Sequence, residues 1–268
     1  MKLTCNQINL LKQLKNGVYD RLKTDFLFHS NKMEGSTFSK IQLAHVLHER
    51  EVFGNHKLDD IIQTTNSLEL FDYVVHTADE PLSERIIREY HGILMYGSQN
   101  VFDKALAGKY RPTSAELKEV DLKLSDQFLI QEDMESLINR YNGEEKDIDS
   151  ITKFYIDFEK IHPFHDGNGR IGRFIILKEC IKEHLDLIAI DSEFANEYKS
   201  ALYQSQIANE VEDLKNVFTK CQNRLSSKLE KYQETFDYIK KFEHELETME
   251  TNKVINYIHN QITGFTDM

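Results

Sequence analysis

The chain has 268 residues, 40% of them hydrophobic, with 33 Lys and Arg against 45 Asp and Glu and a net charge of −12. That length supports one large core, and that charge argues against a dominant nucleic-acid surface, which needs a basic footprint. No apolar run nears the length of a membrane span, Met1 to Asn16 is too polar for a signal peptide, and Cys5, Cys180 and Cys221 are scattered without metal spacing, which suits a reducing cytoplasm.

Taken in chain order, the first informative run is Ser30-Asn31-Lys32-Met33-Glu34-Gly35. Gly35 reads as the C′ residue of a helix. Glu34 then sits in the last turn, where a carboxylate opposes the helix dipole. Such a charge is better placed if a cation faces it across the fold. Pro81-Leu82-Ser83-Glu84 opens a second helical pattern through Ile86, Ile87, Tyr90, Ile93 and Leu94, with Ser83 as its N-cap. Val120-Asp121-Leu122-Lys123-Leu124 alternates apolar and polar residues and is the one convincing strand pattern.

Further on, Ile148, Ile151, Phe154, Tyr155, Phe158 and Ile161 recur at helical spacing, and Pro163 ends that helix at His162. Ile171, Phe174, Ile175, Ile176, Leu177, Cys180 and Ile181 form a helix apolar nearly all round, hence buried. After Val211 the chain is polar and helical. Leu225, Leu229, Tyr232, Phe236, Ile239 and Phe242 make a stripe that packs on the core or forms a dimer seam.

The chemistry concentrates between the two apolar helices, in His162-Pro163-Phe164-His165-Asp166-Gly167-Asn168-Gly169-Arg170-Ile171-Gly172-Arg173. Gly167-Asn168-Gly169 can take positive φ and present backbone N–H groups to an anion. The run feeds a helix N-terminus, where free amides and the dipole favour negative charge. Arg170 and Arg173 lie three apart on one face of the first turn, where they repel each other and oppose the dipole. Two locally unfavourable choices point to an anion that compensates both, and a di- or triphosphate fits. Asp166 supplies a hard oxygen ligand for Mg2+, and His162 a general base. Phe164 is expected to anchor the core and His165 to be exposed without assigned chemistry.

Residues 162–173 match, without a departure, the signature His-Pro-Phe-x-Asp/Glu-Gly-Asn-Gly-Arg-x-x-Arg, and the chain thereby resembles the Fic (filamentation induced by cAMP) family. The resemblance implies a mainly α helical bundle with a small β-hairpin flap, and transfer of AMP from ATP to a Ser, Thr or Tyr hydroxyl of a target protein or of the chain itself. On that resemblance His162 deprotonates the hydroxyl, Asp166 holds Mg2+, and Gly167, Asn168 and Gly169 line the anion hole. Arg170 and Arg173 would bind the β- and γ-phosphates. Ser30 to Gly35 resembles the family's autoinhibitory motif, in the class that carries its inhibitory helix before the catalytic core. Glu34 would then pair with Arg173 and block seating of the γ-phosphate. Gly108-Lys109-Tyr110-Arg111 resembles the segment leading into the flap, along which the target would dock, although no compact turn follows Arg111-Pro112. Tyr198, in Glu197-Tyr198-Lys199-Ser200-Ala201-Leu202, stands where the family places an aromatic beside adenine, and equally reads as core packing.

The expected organisation is an N-terminal helical region with the inhibitory motif (1–70), a catalytic core (71–215) and a C-terminal helical extension (216–268), with a homodimer possible and neither membrane nor nucleic acid as partner. Three other readings stay open. The same site could remove AMP from a modified protein, it could move another phosphate-linked group, or the chain could be a non-catalytic nucleotide-sensing module.

Overall fold

Five of the described α-helices start on a side chain that caps them. In the computed structural model, which describes residues 3–14, 17–116 and 122–247, Thr4, Ser39 and Asp147 each cap the helix that follows through a reciprocal capping box. Ser83 and Asn100 cap theirs through a side-chain oxygen. Each such cap satisfies helix N–H groups that have no partner within the helix.

The described helices are α1 (Cys5–Lys12), α2 (Val18–Met33), α3 (Lys40–Glu49), α4 (Leu58–His76), α5 (Glu84–Leu94), α6 (Val101–Leu106), α7 (Ile130–Gly143), α8 (Ile148–Ile161), α9 (Asn168–Lys182), α10 (Ala195–Ala208), α11 (Glu212–Leu229) and α12 (Gln233–Glu247). The mainly α class is therefore as expected. Among the described residues there is no strand, so the β flap finds no support there. Val120 and Asp121 lie outside the described residues, and Leu122 to Leu124 run irregularly between α6 and α7. In that stretch only Leu124 turns inward, which an irregular segment achieves as readily as a strand.

Helix α9 is the centre of the bundle. Ile171, Phe174, Ile175, Ile176, Leu177, Cys180 and Ile181 are all buried, and α2, α4, α5 and α8 pack around them. One apolar cluster runs from Leu3 to Ile239. The boundaries expected near residues 70 and 215 fall inside α4 and α11, which are continuous helices. Leu225, Leu229, Phe236 and Ile239 are buried within the same chain, and α12 packs against α1. The stripe is thus core packing up to Ile239; the Phe242 side chain lies outside the described residues. Among the described residues, no helix is long and apolar enough to cross a membrane.

Phe164 ties the loop between α8 and α9 to this core. Its ring is fully buried, stacked on His91 with centroids 3.9 Å apart and tilted against Tyr110 at 5.6 Å. Phe164→Ala is expected to cost about 3–5 kcal/mol of stability in denaturant unfolding, the range for deleting a buried phenyl ring. A loss well below that would mean the ring does not anchor the loop.

Candidate active site

His162, the candidate base, is held at a helix end. Helix α8 stops at Ile161, and His162 adopts a left-handed backbone (φ 52°, ψ 61°) as the helix cap. That conformation is uncommon for a residue with a side chain and marks local strain. The imidazole Nδ1 is buried and has no hydrogen-bond partner. Burial, with help from the Arg111 guanidinium, lowers the His162 pKa to about 4 against a hydrogen bond to the Glu159 backbone and the opposing pull of Asp166 and Glu34. The ring is therefore neutral at ordinary pH and able to accept a proton.

The loop after it closes on itself. Asn168 accepts from Phe164 N–H at 2.9 Å and donates to the Phe164 carbonyl at 2.8 Å. Its side chain is thus used to lock the loop, which leaves its backbone N–H at the start of α9 as its contribution to an anion hole. Gly167 has φ +80°, and a Cβ there would lie 2.4 Å from Met95 Cε, so both the backbone and the space require glycine. Asp166 projects outward, its side chain 47% exposed, with one oxygen 3.2 Å from Arg170 Nη2.

Arg170 and Arg173 turn inward at the first turn of α9, and both are buried. Arg170 donates to Gln63 Oε1 of α4, while its Nε is left without a partner. Arg173 donates through Nε to Ser30 Oγ at 2.8 Å, and through Nη2 to the Ser30 carbonyl at 3.1 Å and Glu34 Oε1 at 2.6 Å. A Cβ at Gly169 would sit 2.8 Å from Glu34 Oε1. The Glu34 carboxylate therefore lies directly over the N-terminal turn of α9. Burial opposes its charge, but Arg173 and Arg170 outweigh that and hold its pKa below the ordinary carboxylate value. Gly35 has φ +87°, as a helix C′ residue requires.

Tyr198 lies inside the protein at 5% exposure, its hydroxyl hydrogen-bonded to that of Tyr155. This is a packing position beside Arg173 and Glu159, at the base of the site. His165, in contrast, is exposed and bonds Asp103 through Nδ1 at 3.0 Å.

Three contributors escape a reading of the motif. His91 accepts from Gly108 N–H at Nδ1 (2.9 Å) and faces the Asp166 carbonyl at Nε2 (3.2 Å), which assigns the proton of the neutral ring to Nε2. Gln63 orients Arg170 from α4. Glu159 is buried beneath Arg173 with an unpartnered Oε1. Only the preference of a buried carboxylate for a partner hints at Glu159 in sequence, since it lies on the inward face of α8 three residues before His162.

A small cavity of about 120 Å3 opens beside these groups, lined by Asn31, Glu34, Gln63 and Arg170 among others. Among the described residues no cluster of three or more His, Cys, Asp or Glu side chains could hold a metal by itself. A metal at this loop would have Asp166 as its protein ligand and would take its remaining oxygens from phosphate and water, a donor set that suits Mg2+.

Residues 81–180 match the profile of the Fic/DOC family. A Fic-domain-containing signalling protein from Bacteroides thetaiotaomicron is similar in fold, with a TM-score of 0.65 and 24% identity over 83% of this chain and 92% of that one. Fic-1 from C. elegans gives a TM-score of 0.68 and 16% identity over 85% and 67%. A Fic family protein from Desulfovibrio desulfuricans gives 0.63 and 16% over 86% and 76%. At these identities the likeness is one of fold. No curated protein sequence matches the chain.

Burial raises the Glu159 pKa to about 7, against the opposing pull of Arg173. The folded protein therefore holds a proton that the unfolded chain releases near 4.5, and stability falls as pH rises between those values. Relative to Glu159→Gln, the wild type is expected to lose thermal stability progressively from about pH 4.5 to 7. Parallel melting curves for the two proteins across that range would show that Glu159 does not titrate there.

Proposed function

This chain carries a Fic/DOC family domain, and from that premise we propose that it transfers AMP from ATP to a hydroxyl side chain of a target protein, or of itself, under inhibition by its own Glu34. One observation supports this most directly. A carboxylate from another part of the chain stands on the N-terminal turn of α9 against Arg173, where a helix N-terminus with two arginines is built to receive a phosphate. The chain supplies its own anion to an anion site.

In this reading the triphosphate lies over the first turn of α9, its β- and γ-phosphates on Arg170 and Arg173, after Glu34 has swung aside. The target docks along the residues that follow Arg111 and presents its hydroxyl to His162. The neutral imidazole takes the hydroxyl proton as the oxygen attacks the α-phosphorus. The bond from the α-phosphorus to the bridging oxygen breaks, and its electron pair leaves with pyrophosphate. Arg170, Arg173 and the amides of the α9 N-terminus offset the charge that develops, which is stabilisation by donors already in place. Mg2+ held by Asp166 would neutralise phosphate charge and orient the leaving group. Tyr198, buried beside Arg173, supports that arginine from below, and an adenine contact would require its side chain to become accessible.

The same geometry favours a second reading, removal of AMP from a modified protein. Glu34 keeps its negative charge at the site, as a carboxylate that positions a water must. A nucleotide-sensing module is less well supported, because a sensor has no use for a buried, neutral imidazole with a free Nδ1.

With α-labelled ATP and Mg2+, Glu34→Gly is expected to incorporate AMP well above the wild type by intact mass. His162→Ala in that background should reduce the rate by roughly 10²–10⁴-fold, the usual contribution of a general base. Equal incorporation by wild type and Glu34→Gly would remove the inhibitory role. No adduct in either form, with release of AMP from a modified protein instead, would favour the second reading. Asp166→Ala in the Glu34→Gly background is expected to abolish the Mg2+-dependent part of the rate, and an unchanged Mg2+ response would place the metal ligand elsewhere.

A further inference from the structure

Arg111 has a role that the signature does not contain. It is 2% exposed, yet among the described residues no carboxylate lies within ion-pair distance of its guanidinium. A buried cation of this kind is costly unless dipoles compensate it. Here every partner is a carbonyl. Nε donates to the His162 carbonyl at 2.8 Å, Nη2 to the Ile161 carbonyl at 3.4 Å, Nη1 to the Thr113 carbonyl at 2.6 Å, and Nη2 also to the Ser125 carbonyl at 2.5 Å. The Arg111 backbone N–H donates to the Pro163 carbonyl at 2.8 Å.

Two of these carbonyls, on Ile161 and His162, belong to the C-terminal end of α8, the negative pole of that helix. The cation therefore caps α8 at the point where His162 enters its strained left-handed conformation. The other two, on Thr113 and Ser125, stand on either side of residues 117–121. One side chain thus joins the backbone of His162 to the carbonyls of Thr113 and Ser125.

We propose that Arg111 is the positioning residue of the base: its guanidinium fixes the backbone of His162 and ties it to the carbonyls of Thr113 and Ser125, so that the imidazole is held at a set place. The assignment rests on the reading of His162 as a proton acceptor. It follows that Arg111 also acts by charge. The charged groups that face His162 are Arg111 from the segment after α6, Asp166 from the loop, and Glu34 from the end of α2, while Asp126 faces Arg111 itself. Of the charged groups around the imidazole, Arg111 is the cation that most disfavours its protonation. A planar fork matched to several carbonyls explains why an arginine stands here, since a lysine is a point charge without that geometry.

The test separates charge from geometry, using the full chain. Arg111→Met removes the charge and keeps the apolar stem. Arg111→Lys keeps the charge and loses the fork. The His162 ring is titrated by NMR in the otherwise wild-type protein, and AMP incorporation is measured in the Glu34→Gly background. In Arg111→Met the titration midpoint is expected to rise above its wild-type value, near 4. In Arg111→Lys the midpoint should stay close to wild type while incorporation falls by roughly a hundredfold, the effect of about 1 Å of misplacement at a reacting group. A midpoint unmoved by Arg111→Met, or a rate unmoved by Arg111→Lys, overturns the proposal. Should Arg111→Met fail to fold, the Arg111→Lys pair of measurements decides alone. A raised midpoint in Arg111→Met with no incorporation even in Glu34→Gly would uphold the action of Arg111 on the imidazole and reject AMP transfer.

Discussion

A guanidinium buried at the positive end of a helix must find an anion, and the architecture around Arg173 follows from that requirement. At 3% exposure its charge cannot be left to water, and the amides at the α9 N-terminus add to the positive potential rather than relieve it. Within this chain the anion comes from α2, which delivers the Ser30 hydroxyl, the Ser30 carbonyl and the Glu34 carboxylate to one side chain. The docking of α2 onto α9 is thus as much an electrostatic necessity as an apolar one. The same vacancy of negative charge makes the place fit for phosphates.

Packing below the arginines is set by glycine. A Cβ at Gly172 would lie 2.5 Å from Tyr155 Cε2 and 2.9 Å from Glu159 Oε1, so the close approach of α8 to α9 depends on its absence. That approach brings Tyr155, Tyr198 and Glu159 under Arg173. It also fixes how far α8 runs before it must hand over to His162. The helix that ends at His162 and the helix that carries both arginines are therefore set by one contact, seven residues beyond His165 on the α9 side and, at Glu159, within one turn of His162 on the α8 side. A buried carboxyl with one oxygen left unpartnered at this junction is a strain that function explains better than stability does.

What could be read in the sequence is what lies close together in it. The base, the carboxylate, the glycines and both arginines fall within twelve positions, and the helix on each side has a clear apolar period. Glu34 was legible because Gly35 marks a helix end and leaves a carboxylate badly placed for its own dipole. Arg111, His91 and Gln63 were not read as parts of the site, because each acts through a backbone carbonyl or a side chain far along the chain: Arg111 on His162, His91 on Gly108 and Asp166, Gln63 on Arg170. Carbonyl recognition leaves no trace in residue type at the accepting position. Asn168 shows the converse. Its place in the motif suggests an anion contact, whereas its amide closes a ring with Phe164, and nothing in residue type separates the two uses. The alternation at Val120 to Leu124 was too short to determine a strand, and Leu124 is buried without one.

The way α2 is fastened bears on how the proposed inhibition would be relieved. Tyr19 and Lys23 bind Asp72 of α4, Asp25 binds Lys40 and Lys228, and His29 lies 3.2 Å from Asp191. These ties hold the body of the helix from three directions. Glu34 lies beyond the last of them, at the helix cap, and behind it Gly35 has open space around its Cα. Removing the carboxylate from Arg173 with nothing in its place would leave a buried charge unpaired, at a cost of about 3–5 kcal/mol. Replacing it with phosphate leaves Arg173 paired throughout. On the proposed reading, inhibition is an exchange of one anion for another at a fixed cation. On that reading the movement required is a swing of the Glu34 side chain beside Gly35, not the departure of a helix. A ligand shifts such an equilibrium only by its differential affinity for the two arrangements, so any activator must either bind where Glu34 goes when it leaves or weaken its hold on Arg173.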